Sequence, residues 1–441
     1  MRSTAVLVAY ATATVPSLAA AQEWSLRSGF TARGEYNDNY FFTPTGAELA
    51  FTASASPFVT AARRTEASEV TALLAIGANR VWGPSPTSDY LSARVGLTGS
   101  LREERSTWMG DFSFARNPEL QNEITPAGTV LTLANSNSAV LNGAYAYEIA
   151  ERWRLGVNAG AFNNQYDRVQ GGGTLQNNRG YYAGGTVTYA YSERTQLKLA
   201  AMPSYYASDV TRGDSVTATL GVVHEFSPQL TISGSIGGFW SDMETTQDTV
   251  SSNRRRDSGW LYGGDIRYAY SERTQFAAGL SENLVPSGTG TLDKTDSATA
   301  SVSHRFSDRF TGHLGAGYTR TVVPARLGGS SKSNYYTGET GVTYRFAERW
   351  ALDCGYRYSR ADYSQSAGGE PRANIFFVSI GYNWPGASFT DWLGTRADTQ
   401  GLPGAGPLSL PDRSRGAPGS VEPTGMRGPP EGPPSDQFTI P

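Results

Sequence analysis

Three histidines and one cysteine are the residues of this 441-residue chain with the widest chemical repertoire, since imidazole and thiolate serve as bases, nucleophiles and metal ligands. Cys354 has no second cysteine with which to form an internal disulfide, and three histidines leave little material for a metal site. A hydrolase would need a histidine within reach of a serine and a carboxylate. His224 and His304 instead occupy the aromatic position just before short polar turns, and His313 has no motif around it. The sequence contains no P-loop, dinucleotide fingerprint, zinc spacing or nucleophile elbow. The expectation is therefore a protein that is not an enzyme and takes no metal or cofactor. The remaining chemistry is that of charged side chains facing a solute: Arg27, Arg33, Glu35, Arg94, Asp111, Glu148, Arg154, Lys198, Asp265, Arg267, His313, Glu339, Arg345, Asp353 and Arg357. Arginines, carboxylates and tyrosines could contact the hydroxyls and carboxylates of a sugar, provided one surface collects them.

Strands supply that surface. In Tyr268-Ala269-Tyr270-Ser271-Glu272-Arg273-Thr274 an alternating aromatic run ends in a tight polar turn, and a second alternating run, Gln275 to Leu284, begins at once. That is a hairpin. The device recurs from Tyr147, Tyr189, His224, His304 and Tyr344, at intervals of about 35 to 45 residues. The alternating runs are about 10 to 14 residues long, longer than the usual 5 or 6 of a soluble sandwich and enough for a tilted strand to cross a bilayer. About 18 such runs can be read between Trp24 and Trp384. The predicted fold is all-β: a transmembrane antiparallel up-and-down barrel over residues 22–384, of the outer-membrane kind. A mean hydropathy of −0.39 with 50 Gly and 24 Tyr suits strands with small residues on one face and aromatics on the other. A net charge of −3 gives no reason to expect nucleic acid.

The ends read differently. Residues 1–21, a short positive start, an apolar run and Ala19-Ala20-Ala21, read as a signal peptide. Residues 385–441 are dense in Pro and Gly and cannot bury a core, so a disordered periplasmic tail is expected there, with partner docking as the sharper alternative. Short turns should face the periplasm. Longer polar loops, including Asn117 to Ser136, Thr245 to Gly259, Pro286 to Asp296 and Ala325 to Asn334, should face outside. Arg254-Arg255-Arg256 falls in such a loop and could meet lipopolysaccharide or an acidic glycan, or simply be solvated. A porin-like inward loop has one candidate, Asn117 to Ser136.

Alternation also assigns faces. A charge near the bilayer centre costs roughly 2–4 kcal/mol, so the charged alternates must point inward, where they either contact solute or pair with one another. Tyr189, Tyr191, Tyr268, Tyr270, Tyr344, Trp153 and Trp350 should form the periplasmic aromatic girdle. Tyr182, Trp240, Trp260, Tyr318 and Tyr358 should form the outer one. The other inward positions are mostly small and polar, which predicts a wet lumen.

The early run Gly34-Glu35-Tyr36-Asn37-Asp38-Asn39-Tyr40 resembles the Tyr-x-Asp-Asn signature of the beta-barrel porin 2 family and related exopolysaccharide-associated outer-membrane β-barrel proteins. The Ser-Glu-Arg and Ala-Glu-Arg turns are similar to those of that family, and the likeness spans roughly residues 23 to 384. It implies a pore for export or assembly of extracellular or capsular polysaccharide in the outer membrane of a Gram-negative bacterium. The alternatives are a general diffusion porin for small hydrophilic solutes and a structural barrel that recruits periplasmic partners through its tail. Expected partners are outer-membrane lipid and lipopolysaccharide, polysaccharide, periplasmic export proteins and the barrel-assembly machinery, whose closing-strand signal Val378 to Trp384 resembles.

Overall fold

A computed structural model describes residues 23–83, 89–118, 124–125, 128–129, 135–167, 175–247, 251–288, 290–323, 331–363 and 369–384. The expected signal peptide and Pro/Gly-rich tail lie outside them. Among the described residues the strands are β1 (Glu23–Asn37), β2 (Ala50–Arg64), β3 (Ser68–Trp82), β4 (Tyr90–Arg102), β5 (Ser106–Pro118), the two-residue β6 (Ile124–Thr125) and β7 (Gly128–Thr129), β8 (Asn135–Ala150), β9 (Trp153–Tyr166) and β10 (Asn178–Ser192). They continue as β11 (Thr195–Ser208), β12 (Thr211–Ser227), β13 (Leu230–Gln247), β14 (Ser251–Ser271), β15 (Thr274–Pro286), β16 (Leu292–Ser307), β17 (Phe310–Val323), β18 (Ser331–Ala347), β19 (Trp350–Tyr363) and β20 (Arg372–Asn383).

All but β6 and β7 join one 18-stranded antiparallel sheet. β1 pairs with β2 on one side and with β20 on the other, so the sheet closes on itself and no edge remains. Closure gives each wall strand a hydrogen-bonded neighbour on both sides, the condition for sheet structure in hydrocarbon. The turns on the β1-start side hold two or three residues, such as Glu193-Arg194 and Glu272-Arg273. Ser227 and Ser271 close theirs by accepting hydrogen bonds from backbone N–H groups two and three residues on. This is why the hairpin device repeats with Ser before its tip.

One face of the wall is an apolar belt. Leu220 and Ile236 stand opposite each other on β12 and β13, 56% and 59% exposed, and the register carries the same face through Tyr262, Leu280, Ala298, Tyr318, Tyr336 and onward to Ile380 and Phe30. Exposed leucines and isoleucines in a continuous ring on a closed barrel are a lipid-facing surface. The chain is an outer-membrane barrel. Trp153, Tyr189, Tyr268, Tyr344 and Trp350 share that face near the short turns, with ring contacts such as Trp153–Tyr189 at 4.7 Å and Trp350–Tyr382 at 4.7 Å. His224 and His304 also belong to it. Each lies edge-on to the next Phe and hydrogen-bonds a threonine on the neighbouring strand, Thr195 or Thr274, at 2.8 Å.

Several expectations need correction. Tyr182 is not in the outer girdle: it alternates with lipid-facing Tyr181, is 6% exposed and points into the lumen. Thr245 to Gly259 is mostly strand, because β13 and β14 run on as a hairpin above the belt. Arg254-Arg255-Arg256 lies on β14 and is paired: Arg254 and Arg256 reach Asp242 at 2.6 and 3.2 Å, and Arg255 reaches Asp257 at 3.5 Å. Likewise β16 starts at Leu292 and β18 at Ser331, inside expected loops. Above the bilayer neither face touches lipid, so strict alternation is no longer required and polar strands read as loops.

Candidate functional site: the lumen

The register places the fifteen singled-out charged residues on the face opposite the belt. Arg27, Arg33 and Glu35 lie on β1, Arg94 on β4, Asp111 on β5, Glu148 on β8, Arg154 on β9, Lys198 on β11, Asp265 and Arg267 on β14. His313 follows on β17, Glu339 and Arg345 on β18, and Asp353 and Arg357 on β19. They do not form one cluster.

The sector from β17 round to β1 is packed. Arg357 donates from Nε and Nη2 to Glu339 Oε2 at 2.8 and 2.6 Å, and His313 Nε2 stands 3.5 Å from the other oxygen. Arg33 donates to Glu35 at 2.8 Å and lies 4.0 Å over the Phe377 ring. Thr343 donates to Asp353 at 3.1 Å, and the Tyr335 hydroxyl to Ser359 at 3.1 Å. Ile375 and Phe377, which alternate with lipid-facing Phe376 and Val378, fill the same side of the interior. A wet lumen lined by small polar residues is therefore not what this sector contains: charges are matched by charges and ring faces within the wall.

The loop between β1 and β2 caps the packed sector. Asp38 accepts from the backbone and side-chain amides of Asn374 at 2.7 Å each, across the closing seam. Asn39, 3% exposed, donates through Nδ2 to the carbonyls of Thr43 and Arg372, both at 2.8 Å, and accepts from Thr43 N at 3.0 Å. Phe42 takes φ +51°, a region that non-glycine residues rarely occupy. It is held there by its N–H bond to the Asn39 carbonyl and by the Tyr335 ring 5.9 Å away. Tyr40 and Phe41 pack the other way, on Ala50 and Val81. Burial, with Glu35 near, pushes the Tyr40 hydroxyl up to about 12, so this ring is neutral at physiological pH. The run that looked like a family signature thus locks the seam and folds a loop inward. Asn39→Ala leaves the Thr43 N–H and Arg372 carbonyl without that partner, a loss of about 1–3 kcal/mol. The expected result in planar bilayers is a larger unit conductance; an unchanged conductance would mean that the loop does not narrow the mouth.

From the opposite side the tip of the β15–β16 hairpin crosses to β10 and β11. Gln176 N–H donates to the Gly288 carbonyl at 2.8 Å and Ser208 Oγ to the Gly290 carbonyl at 2.7 Å. Gly290 has φ +80°, and a Cβ there would press on Val210 and Gln176. Of the inward loop expected at Asn117 to Ser136, the two ends are wall strand, Asn117 pairing with Ser136 and Pro118 with Asn135; between them only the β6–β7 ladder is described, and the rest lies outside the described residues.

Two pockets lie in series beneath that tip, on the faces of β9, β10 and β11. The lower, about 610 Å³ of open space, is lined by Met109, Arg154, Asn158, Thr186, Lys198 and Met202 among others. The upper, about 550 Å³, is lined by Phe162, Tyr182, Ser204, Tyr206, Ser215 and Leu261 among others. Gly160 leaves the space that the Tyr182 ring occupies. The Tyr182 hydroxyl donates to Asn142 Oδ1 at 2.7 Å, and Asn142 Nδ2 donates to Asp111 at 2.8 Å. Arg154 pairs with Glu148 at 2.6 Å. Asn142, Asn158, Phe162, Met202 and Tyr206 were not singled out in the sequence. Strict alternation from Arg154 up β9 and from Lys198 along β11 would have found four of them.

A closed wall, an outward apolar belt and a polar interior divided between a packed sector and two pockets define an outer-membrane β-barrel with a lumen of unequal halves. The profile of the family described as "Putative MetA-pathway of phenol degradation" matches residues 46–220, less than half of the chain. Among solved structures the chain is similar to the outer membrane protein opdK from Pseudomonas aeruginosa, at 14% identity over 81% of this chain and 99% of that one, with a TM-score of 0.44. It is similar also to a BenF-like porin from Pseudomonas fluorescens Pf-5, at 13% identity over 81% and 99%, with a TM-score of 0.44. A third is Acinetobacter baumannii OccAB2, at 13% identity over 81% and 98%, with a TM-score of 0.43. No curated protein matches.

Proposed function

We propose that this barrel is a passive outer-membrane pore for small solutes of mixed polarity, not a conduit for polysaccharide. The observation that carries this is the mouth, crossed by the β1–β2 loop from one side and the β15–β16 tip from the other. The open space beneath is divided between two lumen-facing pockets lined by mixed polar and apolar side chains. A glycan polymer would need an unobstructed bore. The partial family match supports the same direction, because its description names a phenol pathway and residues 46–220 include every lining residue of the lower pocket. Inward Arg154, Lys198 and Asp111 would contact solute; Arg33, Glu35, Glu339 and Arg357 would keep the packed sector shut. Insertion would use the barrel-assembly machinery acting on the closing strand, in contact with lipid and lipopolysaccharide.

Purified protein in planar bilayers should conduct ions, and proteoliposomes should swell in monosaccharide- or phenol-sized solutes but not in long maltodextrins. No conductance in any state would overturn the pore. Swelling in long maltodextrins would restore the polysaccharide reading.

A further inference from the structure

We propose that the lower pocket is a binding site for an uncharged small aromatic alcohol, held by a hydrogen bond to Asn158. This deepens the pore reading and rests on it for its biological meaning, although binding itself can be measured without transport. Asn158 is 6% exposed and lines the pocket. Its Nδ2 is turned to the Met202 sulfur at 3.8 Å, while its Oδ1 has no hydrogen-bond partner among the described residues. A buried amide oxygen left without a donor is costly. A molecule entering the pocket removes that cost only by supplying an O–H or N–H.

The rest of the lining narrows the ligand. Met109 on β5 and Met202 on β11 line the pocket, with the small apolar Ala144, Ala146 and Ala200 and the hydroxyls of Thr107, Thr186 and Thr188 beside them. Thioethers favour an aromatic ring through sulfur–ring contact. A carboxylate or phenolate oxygen is itself only an acceptor and would face Asn158 Oδ1 unfavourably; the cations of the lining, Arg154, paired with Glu148 at 2.6 Å, and Lys198, make benzoate the decisive competitor. A phenol, protonated at neutral pH since such hydroxyls titrate near 10, offers one donor on a flat apolar body. The upper pocket, with the Phe162 and Tyr206 rings 6.5 Å apart in a stacked arrangement, lies on the same strands toward the mouth and would pass the same kind of molecule downward.

The test is calorimetric titration of the full-length protein in detergent with p-cresol, toluene and benzoate. Saturable binding of p-cresol with at least tenfold weaker binding of toluene is expected. Asn158→Leu, checked for folding by its heat-dependent gel shift, should weaken p-cresol about tenfold, the worth of one hydrogen bond of roughly 1.4 kcal/mol. Asn158→Asp keeps the acceptor and should retain binding. Equal affinity for p-cresol and toluene, unchanged affinity in Asn158→Leu, or tighter binding of benzoate would overturn the site. A conducting barrel that fails these titrations loses only the site. A barrel that binds p-cresol yet never conducts keeps the site and loses the pore.

Discussion

Ile380→Arg should abolish accumulation of assembled barrel in the outer membrane. Ile380 lies on the lipid-facing side of β20, opposite Ala32 of β1 and Leu352 of β19, at the seam where the sheet closes. Arginine on a lipid face costs up to roughly 2–4 kcal/mol at the bilayer centre and less toward the girdle, which Tyr382 marks two residues on. Here the cost falls on the strand pair that closes the wall. Val342→Arg, opposite Gly312 and Cys354 on its neighbours, should behave alike for the same reason. The matched control is Ser301→Arg, an exposed lumen position on β16, which should assemble normally. Gly341 looks in the sequence like an equally tolerant inward site, but a Cβ there would meet the His313 ring, so it is not a fair control. Heat-dependent gel migration of membrane fractions reads the outcome. Equal assembly of Ile380→Arg and Ser301→Arg would refute the assignment of faces.

Arg357→Met should lower stability by about 3 kcal/mol, the lower end of the cost of breaking a buried pair. Arg357 is 6% exposed in its side chain and Glu339 32%, so removing the guanidinium leaves a carboxylate that only His313 and lumen water can compensate. The lumen access of Glu339 is what keeps the loss from being larger. In the double variant Arg357→Met with Glu339→Gln no charge is stranded, and most of the loss should be recovered. Urea unfolding midpoints of the two variants against the parent decide this. If Arg357→Met alone unfolds at the parental midpoint, the pair does not hold the packed sector. If the double variant is as weak as the single one, packing of the Arg357 stem matters and its charge does not.

Much of the wall is legible in the sequence because lipid enforces it. Within the belt every second side chain must be apolar, so period two alone puts Arg33, Glu35, Glu339 and Arg357 on one face and Val378 and Ile380 on the other. Where lipid stops enforcing the pattern, reading fails. The β13–β14 extension, rich in Ser and Arg, passes for a loop although it is a paired hairpin closed by Asp242. Tyr182 fails for another reason. Two consecutive tyrosines, Tyr181 and Tyr182, must face opposite ways, and composition cannot say which one meets lipid; the pairing of Tyr181 with Ala161 and Tyr205 does.

By itself the sequence determined the barrel: strand number, hairpin order, the side from which the short turns emerge, and which face carries charge. These are consequences of local alternation and turn chemistry, which act over a few residues. Only the tertiary structure decided what the lumen is. The Asp38–Asn374 lock joins residues 336 apart in sequence, and the β15–β16 tip meets Ser208 across a separation of 82. Asn158 acquires its meaning from Met109, Thr186 and Met202 on three other strands. Contacts between strands that are distant in the chain leave no periodic trace along it, because closure of the sheet, and nothing local, sets the distances between them.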